Sequence, residues 1–231
     1  MSTIAIIPSR FNSSRFPGKP LIDIHGKTMI QRVYEQVKQA NLEKVLVATD
    51  DKRIFNEVLR FGGEVVMTST KHQCGTDRCV EALTKVESFQ NIINIQGDEP
   101  FINPKQIEQI RNQLEKHNSS IVTLAKKIED KLLLSDINCV KVGIDNNHKA
   151  SWFDRKISSQ APPFYEHVGI YGFKTNTLLQ LSTLKPTENE QRLKLEQLRW
   201  MDHHYLIDIL LTEFKSISID CPEDLKKINP L

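Results

Sequence analysis

Short runs of aliphatic and β-branched residues alternate with helical hydrophobic spacing through the first two-thirds of this chain, and that alternation restricts its fold more than any other feature. Ile4–Ile7 reads as a buried strand ending at Pro8. Met29–Ala40 then sets Met29, Ile30, Val33 and Val37 at the spacing of an amphipathic helix. Lys44–Ala48 follows as a strand, Asp51–Phe61 as a helix closed by Gly62 and Gly63, Glu64–Met67 as a strand and Asp77–Val86 as a helix. Asn91–Ile95 is a fourth strand running into Gly97 and Asp98, and Lys105–His117 a helix with Ile107, Ile110 and Leu114 on one face. Repeated strand–helix units imply a mainly parallel sheet covered on both sides, that is, an α/β fold. Strands are also predicted at Ser120–Ala125, Cys139–Ile144 and Val168–Phe173, with a helix at Glu190–Asp202. A late strand at Ile217–Asp220 and a short helix from Pro222 complete the pattern. One domain over residues 1–231 is expected, with the polar, proline-containing segment 145–165 a loop or subdomain over the site.

Composition narrows the function. A chain of 231 residues, 39% of them hydrophobic, can bury roughly 70–75% of its unfolded surface in one core. Its 31 basic and 29 acidic residues leave a formal net charge of +2, so no global field points to nucleic acid or membrane as a partner. Anion binding must come from a local site. Cys74, Cys79, Cys139 and Cys221 show neither CxxC spacing nor a dense secreted framework, which fits reduced thiols in the cytoplasm. Met1-Ser2-Thr3 leads straight into Ile4 without a signal-peptide pattern, and no stretch holds 18 uninterrupted apolar residues.

Local charge is concentrated in the loop after the first strand, Pro8-Ser9-Arg10-Phe11-Asn12-Ser13-Ser14-Arg15-Phe16-Pro17-Gly18-Lys19-Pro20-Leu21. Ligands of open parallel sheets bind at the carboxyl ends of strands, so this loop lies where a site is expected. Guanidinium forks match phosphate oxygens, lysine adds a point charge, and Gly18 admits close backbone approach. The loop is neither a Walker loop nor a GxGxxG fingerprint, which removes the main support for kinase and dehydrogenase readings. The simpler alternative is a solvated basic loop.

Asn94-Ile95-Gln96-Gly97-Asp98-Glu99-Pro100 places two carboxylates at a strand end, and Asp220 closes the run Ser216–Ile219. Magnesium takes oxygen ligands and is usually held by one or two carboxylates plus substrate phosphates. Asp98 and Asp220 from different strands would suit it; alternatively both cap the turns that follow. In Gly75-Thr76-Asp77-Arg78, Thr76 or Asp77 reads as an ordinary helix N-cap; the alternative is a Gly-Thr turn that, with Arg78, presents backbone groups and a cation to a base edge. His72, His117, His148, His203 and His204 lack metal spacing and read as surface residues. His167, beside Tyr165 and ahead of Tyr171, is kept as a binding candidate. Leu195–Arg199 reads as a core helix with solvated polar residues.

Together these segments resemble the 3-deoxy-manno-octulosonate (Kdo) cytidylyltransferases, or CMP-Kdo synthetases. The resemblance rests on the Pro8–Leu21 loop, Val47-Ala48-Thr49-Asp50-Asp51, Met67-Thr68-Ser69, Gly75–Arg78, Asn94–Pro100, His167-Val168-Gly169-Ile170-Tyr171, Leu195–Arg199 and Asp220–Leu225, in family order over nearly the whole chain. It implies a Rossmann-like nucleotidyltransferase fold and transfer of CMP from CTP to the small sugar acid Kdo, with magnesium, for lipopolysaccharide synthesis by a homodimer. Arg10, Ser13 and Lys19 would then hold the CTP phosphates and Arg15, Gly75 and Arg78 lie around base and ribose, with Pro8 also among the nucleotide-binding residues. Asp98 and Asp220 would carry the metal, making Arg10, Lys19, Asp98 and Asp220 the catalytic set. Gln96, Arg155, His167, Tyr171, Glu196 and Gln197 would face the sugar acid. The chain departs from the family pattern at Cys74, Cys221, Asp154 and Leu193. Those last two, near the sugar, leave the acceptor open between Kdo and a relative such as its 8-amino form. A nucleotide-binding protein without catalysis is the reading from another class, and Lys19, Asp98 and Asp220 speak against it.

Overall fold

Ile4 and Ile6 face one side of the sheet and Ala5 and Ile7 the other, and all four are fully buried. A strand covered on both faces carries no polar alternation, which is why these runs read as continuous apolar segments. The computed structural model describes residues 2–12, 16–72, 74–117, 119–157, 160–215 and 217–228.

The first part of the chain is a run of strand–helix units: β1 (Thr3–Ser9), the small antiparallel pair β2 (Asp23–Ile24) and β3 (Lys27–Thr28), α1 (Met29–Lys38), β4 (Lys44–Thr49), α2 (Lys52–Arg60), β5 (Val65–Met67), α3 (Gly75–Leu83), β6 (Asn91–Asn94) and α4 (Pro104–Lys116). The second part holds β7 (Ile121–Lys127), the single turn α5 (Leu132–Ser135), β8 (Lys141–Ile144), β9 (Ala150–Asp154), β10 (Tyr165–Lys174), α6 (Thr175–Leu181), α7 (Glu188–Leu193), α8 (Glu196–Asp202) and β11 (Asp208–Leu211). The main sheet runs in the order β11-β7-β10-β6-β1-β4-β5, with β8 and β9 joined at β10. Pairing is parallel from β5 to β6 and again between β7 and β11; β10 is antiparallel to both β6 and β7. This is the largely parallel α/β architecture that the alternation implies.

Helices cover both faces. Val33 of α1, Ile54 of α2 and Ile110 of α4 pack with Ala5 and Ile7, whereas Cys79 of α3, Leu178 of α6 and Trp200 of α8 pack with Ile4 and Ile6. Fully burying a side chain of this size is worth roughly 1.5–3 kcal/mol, so the strands are anchored from two sides. From β1 the chain builds outward to β4 and β5, then crosses back to place β6 on the other flank of β1. The order reverses between β1 and β6, the place where open α/β sheets form a binding crevice at their carboxyl ends.

Several expectations are corrected. α3 begins at Gly75, and Cys74, not Thr76 or Asp77, is its cap, with Sγ accepting from the Asp77 amide at 3.4 Å. The helix expected over Glu190–Asp202 is two helices broken at Lys194, whose φ of 54° is left-handed. Residues 145–165 are not all loop: Ala150–Asp154 is strand β9, paired antiparallel with β8. Ile217–Asp220 forms no strand; the segment is held by the Ile219 amide donating to the Asp98 carbonyl at 3.0 Å, with Ile219 fully buried. β11 had no counterpart in the sequence reading, although Ile207–Leu211 carries the apolar run. Among the described residues no helix is long and apolar enough to cross a membrane.

Candidate active site

The crevice between β1 and β6 opens into a cavity bordered by Pro8, Ser9 and Arg10 from the end of β1, Lys19 from the loop, Gly75 and Arg78 from α3, and Gln96–Asp98 after β6. The strand ends approach so closely that a Cβ on Gly97 would lie 3.0 Å from the Pro8 carbonyl oxygen. Gly18 takes φ 74° to turn the loop, and its amide donates to the Phe11 carbonyl at 2.9 Å. That turn delivers Lys19 into the cavity, while Arg10 stands exposed at its edge. Ser13 and Arg15 lie outside the described residues.

Lys19 Nζ donates to Asp98 Oδ2 at 2.7 Å and to Asp220 Oδ1 at 3.3 Å. Two carboxylates from distant parts of the sequence thus converge on one ammonium. Asp220 is not the cap of the turn that follows it: Cys221 caps the 3-10 turn Pro222–Lys227, and Asp224 accepts from the Asp220 and Cys221 amides. Glu99 lies behind the pair. Its carboxyl is pushed up to about 8 by burial and by the neighbouring Asp98, Asp220 and Glu166 charges, and its Oε2 is buried without a partner. A pair of oxygen ligands with room for waters fits magnesium, and no cage of three or more His, Cys, Asp or Glu occurs among the described residues.

Arg78 is buried and committed to the protein. It donates to Asp50 Oδ2 at 2.7 Å, to Thr68 Oγ1 at 2.5 Å and to the Ser69 carbonyl at 3.4 Å. It borders the cavity while clamping the loop after β5, rather than standing free for a base edge.

Two further cavities adjoin. One is bordered by Gln96, Asp98, Glu99, Arg155, Glu166, His167 and Asp220, the other by Thr76, Asn94, Gln96, His167, Tyr171, Glu196, Gln197 and Trp200. His167 pairs through Nε2 with Thr123 Oγ1 at 3.0 Å, and burial pushes its pKa down to about 3, so the ring is neutral. Arg155 donates from Nε to the Leu193 carbonyl at 3.0 Å and from Nη1 to the Ile137 carbonyl at 3.1 Å. The Leu193 carbonyl belongs to the end of α7, where helical carbonyls lose their partners. Burial holds the Glu196 carboxyl above the usual range; Thr76, Cys74 and Arg199 lie close but offset this only in part.

The second of these cavities has a distinctive polar lining. Asn94 Oδ1, Tyr171 OH, Glu196 Oε1 and Trp200 Nε1 are buried without a hydrogen-bond partner among the described residues, the Thr76 hydroxyl lies beside the Glu196 carboxyl, and all five residues border it. Buried polar groups in folded proteins are nearly always paired, so such a cluster of open ones fits a polyhydroxylated ligand. Gln197 and Arg199 are buried, not solvated as Leu195–Arg199 is expected to be, and Arg199 grips Glu190 through two hydrogen bonds at 2.8 and 2.5 Å. The sequence reading overlooked Thr123, Glu166 and Trp200, which carry no motif, and it placed His72 on the surface although His72 borders the first cavity. His117, His148, His203 and His204 are exposed.

This geometry, a cation-lined crevice at the sheet's switch point beside polar cavities, has counterparts in the nucleotidyltransferases. The cytidylyltransferase family model matches residues 4–211. The 3-deoxy-manno-octulosonate cytidylyltransferase of Parabacteroides distasonis is 45% identical, covering 98% of this chain and 96% of its own, and that of Cytophaga hutchinsonii is 46% identical over 99% and 96%. The 8-amino-3,8-dideoxy-manno-octulosonate cytidylyltransferase of Shewanella pealeana is 41% identical over 98% and 96%. A solved CMP:2-keto-3-deoxy-manno-octonic acid synthetase complexed with CTP matches at a TM-score of 0.91 and 36% identity, covering 99% of this chain and 97% of that one. The chain belongs to the 3-deoxy-manno-octulosonate cytidylyltransferase family.

Proposed function

We propose that this protein transfers CMP from CTP to Kdo, forming CMP-Kdo and pyrophosphate for lipopolysaccharide synthesis. The observation that carries the reading is a shared wall. Gln96 borders all three cavities, and Asp98 and Asp220 border both the cation-lined crevice and the first acceptor cavity, so two reactants can meet over the same carboxylates.

In this reading the triphosphate lies along Arg10 and Lys19, and the sugar acid occupies the cavities beyond Gln96. The anomeric hydroxyl attacks the α-phosphorus, the bond to pyrophosphate breaks, and the hydroxyl proton passes to water. Asp98 and Asp220 would hold magnesium, which when bound supplies positive charge against the phosphate oxygens. Lys19 compensates the two carboxylates in the described state; drawn onto the phosphates, it releases them to a cation and meets the charge that grows in the transition state. Neutral His167, fixed by Thr123, and the open groups of Tyr171 and Glu196 orient the acceptor through hydrogen bonds. Arg155 sits where it can meet the sugar carboxylate with the N–H groups not spent on Leu193 and Ile137. The four unpaired cysteines suit work in the cytoplasm, and assembly as a homodimer completes the proposal.

An 8-amino acceptor is the second reading, favoured by Glu99 and Glu166, which put carboxyl groups in the cavity beside Arg155. Pyrophosphate release from CTP or UTP, crossed with Kdo, 8-amino-Kdo and N-acetylneuraminate, tests both. The fastest turnover is expected with CTP and Kdo. No release with any pair would remove the transferase reading, and a clear preference for the 8-amino sugar would replace the acceptor.

A further inference from the structure

The loop between β5 and α3 is tied to β4 by the Thr68 amide, which donates to the Thr49 carbonyl at 2.7 Å, and otherwise to α3 and the turn that follows it. Arg78 and Glu81 stand three residues apart on one side of α3, and Lys85, in the turn just past its C-cap Thr84, pairs with Glu81 at 2.7 Å. Arg78 bonds Thr68 Oγ1 and the Ser69 carbonyl, Glu81 Oε2 accepts from the Ser69 amide at 2.7 Å, and Lys85 bonds the Met67 carbonyl at 2.5 Å. The same Glu81 oxygen takes His72 Nε2 at 2.5 Å. His72 is therefore not a loose surface ring. It borders the crevice with Cys74 and Arg78 and comes from the loop after β5, which β1 and β4 separate in the sheet from β6 and Asp98, so it stands toward the nucleoside end if the phosphates run along Lys19.

Chemistry then limits what the ring can do. Although burial pulls the Glu81 carboxyl up, Lys85, the Ser69 amide and His72 hold it down at about 2, so it stays an acceptor. An ionised carboxylate at Nε2 requires the proton there, and in the neutral ring Nδ1 is then an acceptor. Among the described contacts His72 is held through Nε2 only. Cytosine carries an exocyclic amine at position 4, a donor; uracil carries a carbonyl oxygen there, an acceptor.

Resting on the CTP reading above, we infer that His72, set by Glu81, is a base-selecting residue that accepts from the 4-amino group of cytosine and so separates CTP from UTP. Glu81 is a positioning residue acting through the ring.

The test is calorimetric binding of CTP and UTP to the full-length wild type and to His72→Ala, His72→Asn and Glu81→Gln, each checked for folding by its melting curve. Loss of one such hydrogen bond is expected to cut the CTP-over-UTP ratio about tenfold in His72→Ala, mostly by weakening CTP. His72→Asn, whose amide can present an oxygen near the Nδ1 position, should recover part of the ratio; Glu81→Gln should lose part of it. Equal weakening of both nucleotides, or an unchanged ratio in folded His72→Ala, would overturn base selection by this ring. A wild type that binds neither nucleotide would instead remove the CTP reading itself.

Discussion

The cation-lined crevice and the two cavities beside it, proposed to hold nucleotide and acceptor, differ in how their polar groups are satisfied. In the crevice, polar groups are already matched: Lys19 with Asp98 and Asp220 and Arg78 with Asp50 as ion pairs, and His72 with Glu81 through a hydrogen bond. In the cavities beside it, Asn94, Tyr171, Glu196 and Trp200 leave buried atoms open among the described residues. The first kind of site is rigid before its ligand arrives and exchanges partners on binding. The second keeps unsatisfied groups at a cost in stability that a ligand's hydroxyls recover. Mutations on the two sides should therefore separate: charge changes in the crevice act on turnover, whereas removal of an open group acts on acceptor affinity and leaves the fold unharmed.

The largest effect is expected at the shared wall. Asp98→Asn is nearly isosteric but leaves Lys19 only Asp220, and it should lower kcat on the order of 10³-fold with a near-native melting curve. Asp220→Asn should follow it. Folded Asp98→Asn with wild-type pyrophosphate release would remove the metal assignment.

Next come the cations. Lys19→Ala should reduce kcat on the order of 10²-fold, more than Arg10→Ala, because Lys19 also compensates two carboxylates while Arg10 is exposed. Steady-state rates at varied CTP decide it: a rise in KM for CTP with unchanged kcat would mean binding without a transition-state share.

On the acceptor side, Arg155→Ala should raise the KM for the sugar about tenfold while KM for CTP stays within twofold, as expected for a lost charge-assisted contact. Lysine should restore little, since it cannot span both the Ile137 and Leu193 carbonyls and a carboxylate. If CTP affinity falls instead, Arg155 belongs to the crevice and the comparison breaks.

The smallest effect is the most discriminating. Tyr171→Phe removes a hydroxyl that has no partner, so stability should change by less than about 1 kcal/mol, with either sign. The KM for the sugar should nevertheless rise several-fold. A destabilised variant with unchanged sugar affinity would show that the open hydroxyl serves the core.

The sequence by itself determined the α/β class, the strands β1, β4, β5 and β6, and the crevice loop, because burial on both faces writes continuous apolar runs and phosphate chemistry writes dense local cations. Asp98 was legible for the same local reason: a carboxylate after a glycine at a strand end. What the tertiary structure decided is everything that depends on residues distant along the chain. Asp220 reaches Lys19 across 201 positions, and no periodicity records that meeting. The break at Lys194 was hidden because both flanking segments are good helix formers; it appears only where Arg199 folds back on Glu190 and Arg155 takes the Leu193 carbonyl. Cys74 as a cap is a weak thiol acceptor that capping rules rank low. His72 read as surface because its partner is a side chain from the following helix, and its place in the cavity exists only once α3 is packed against the sheet.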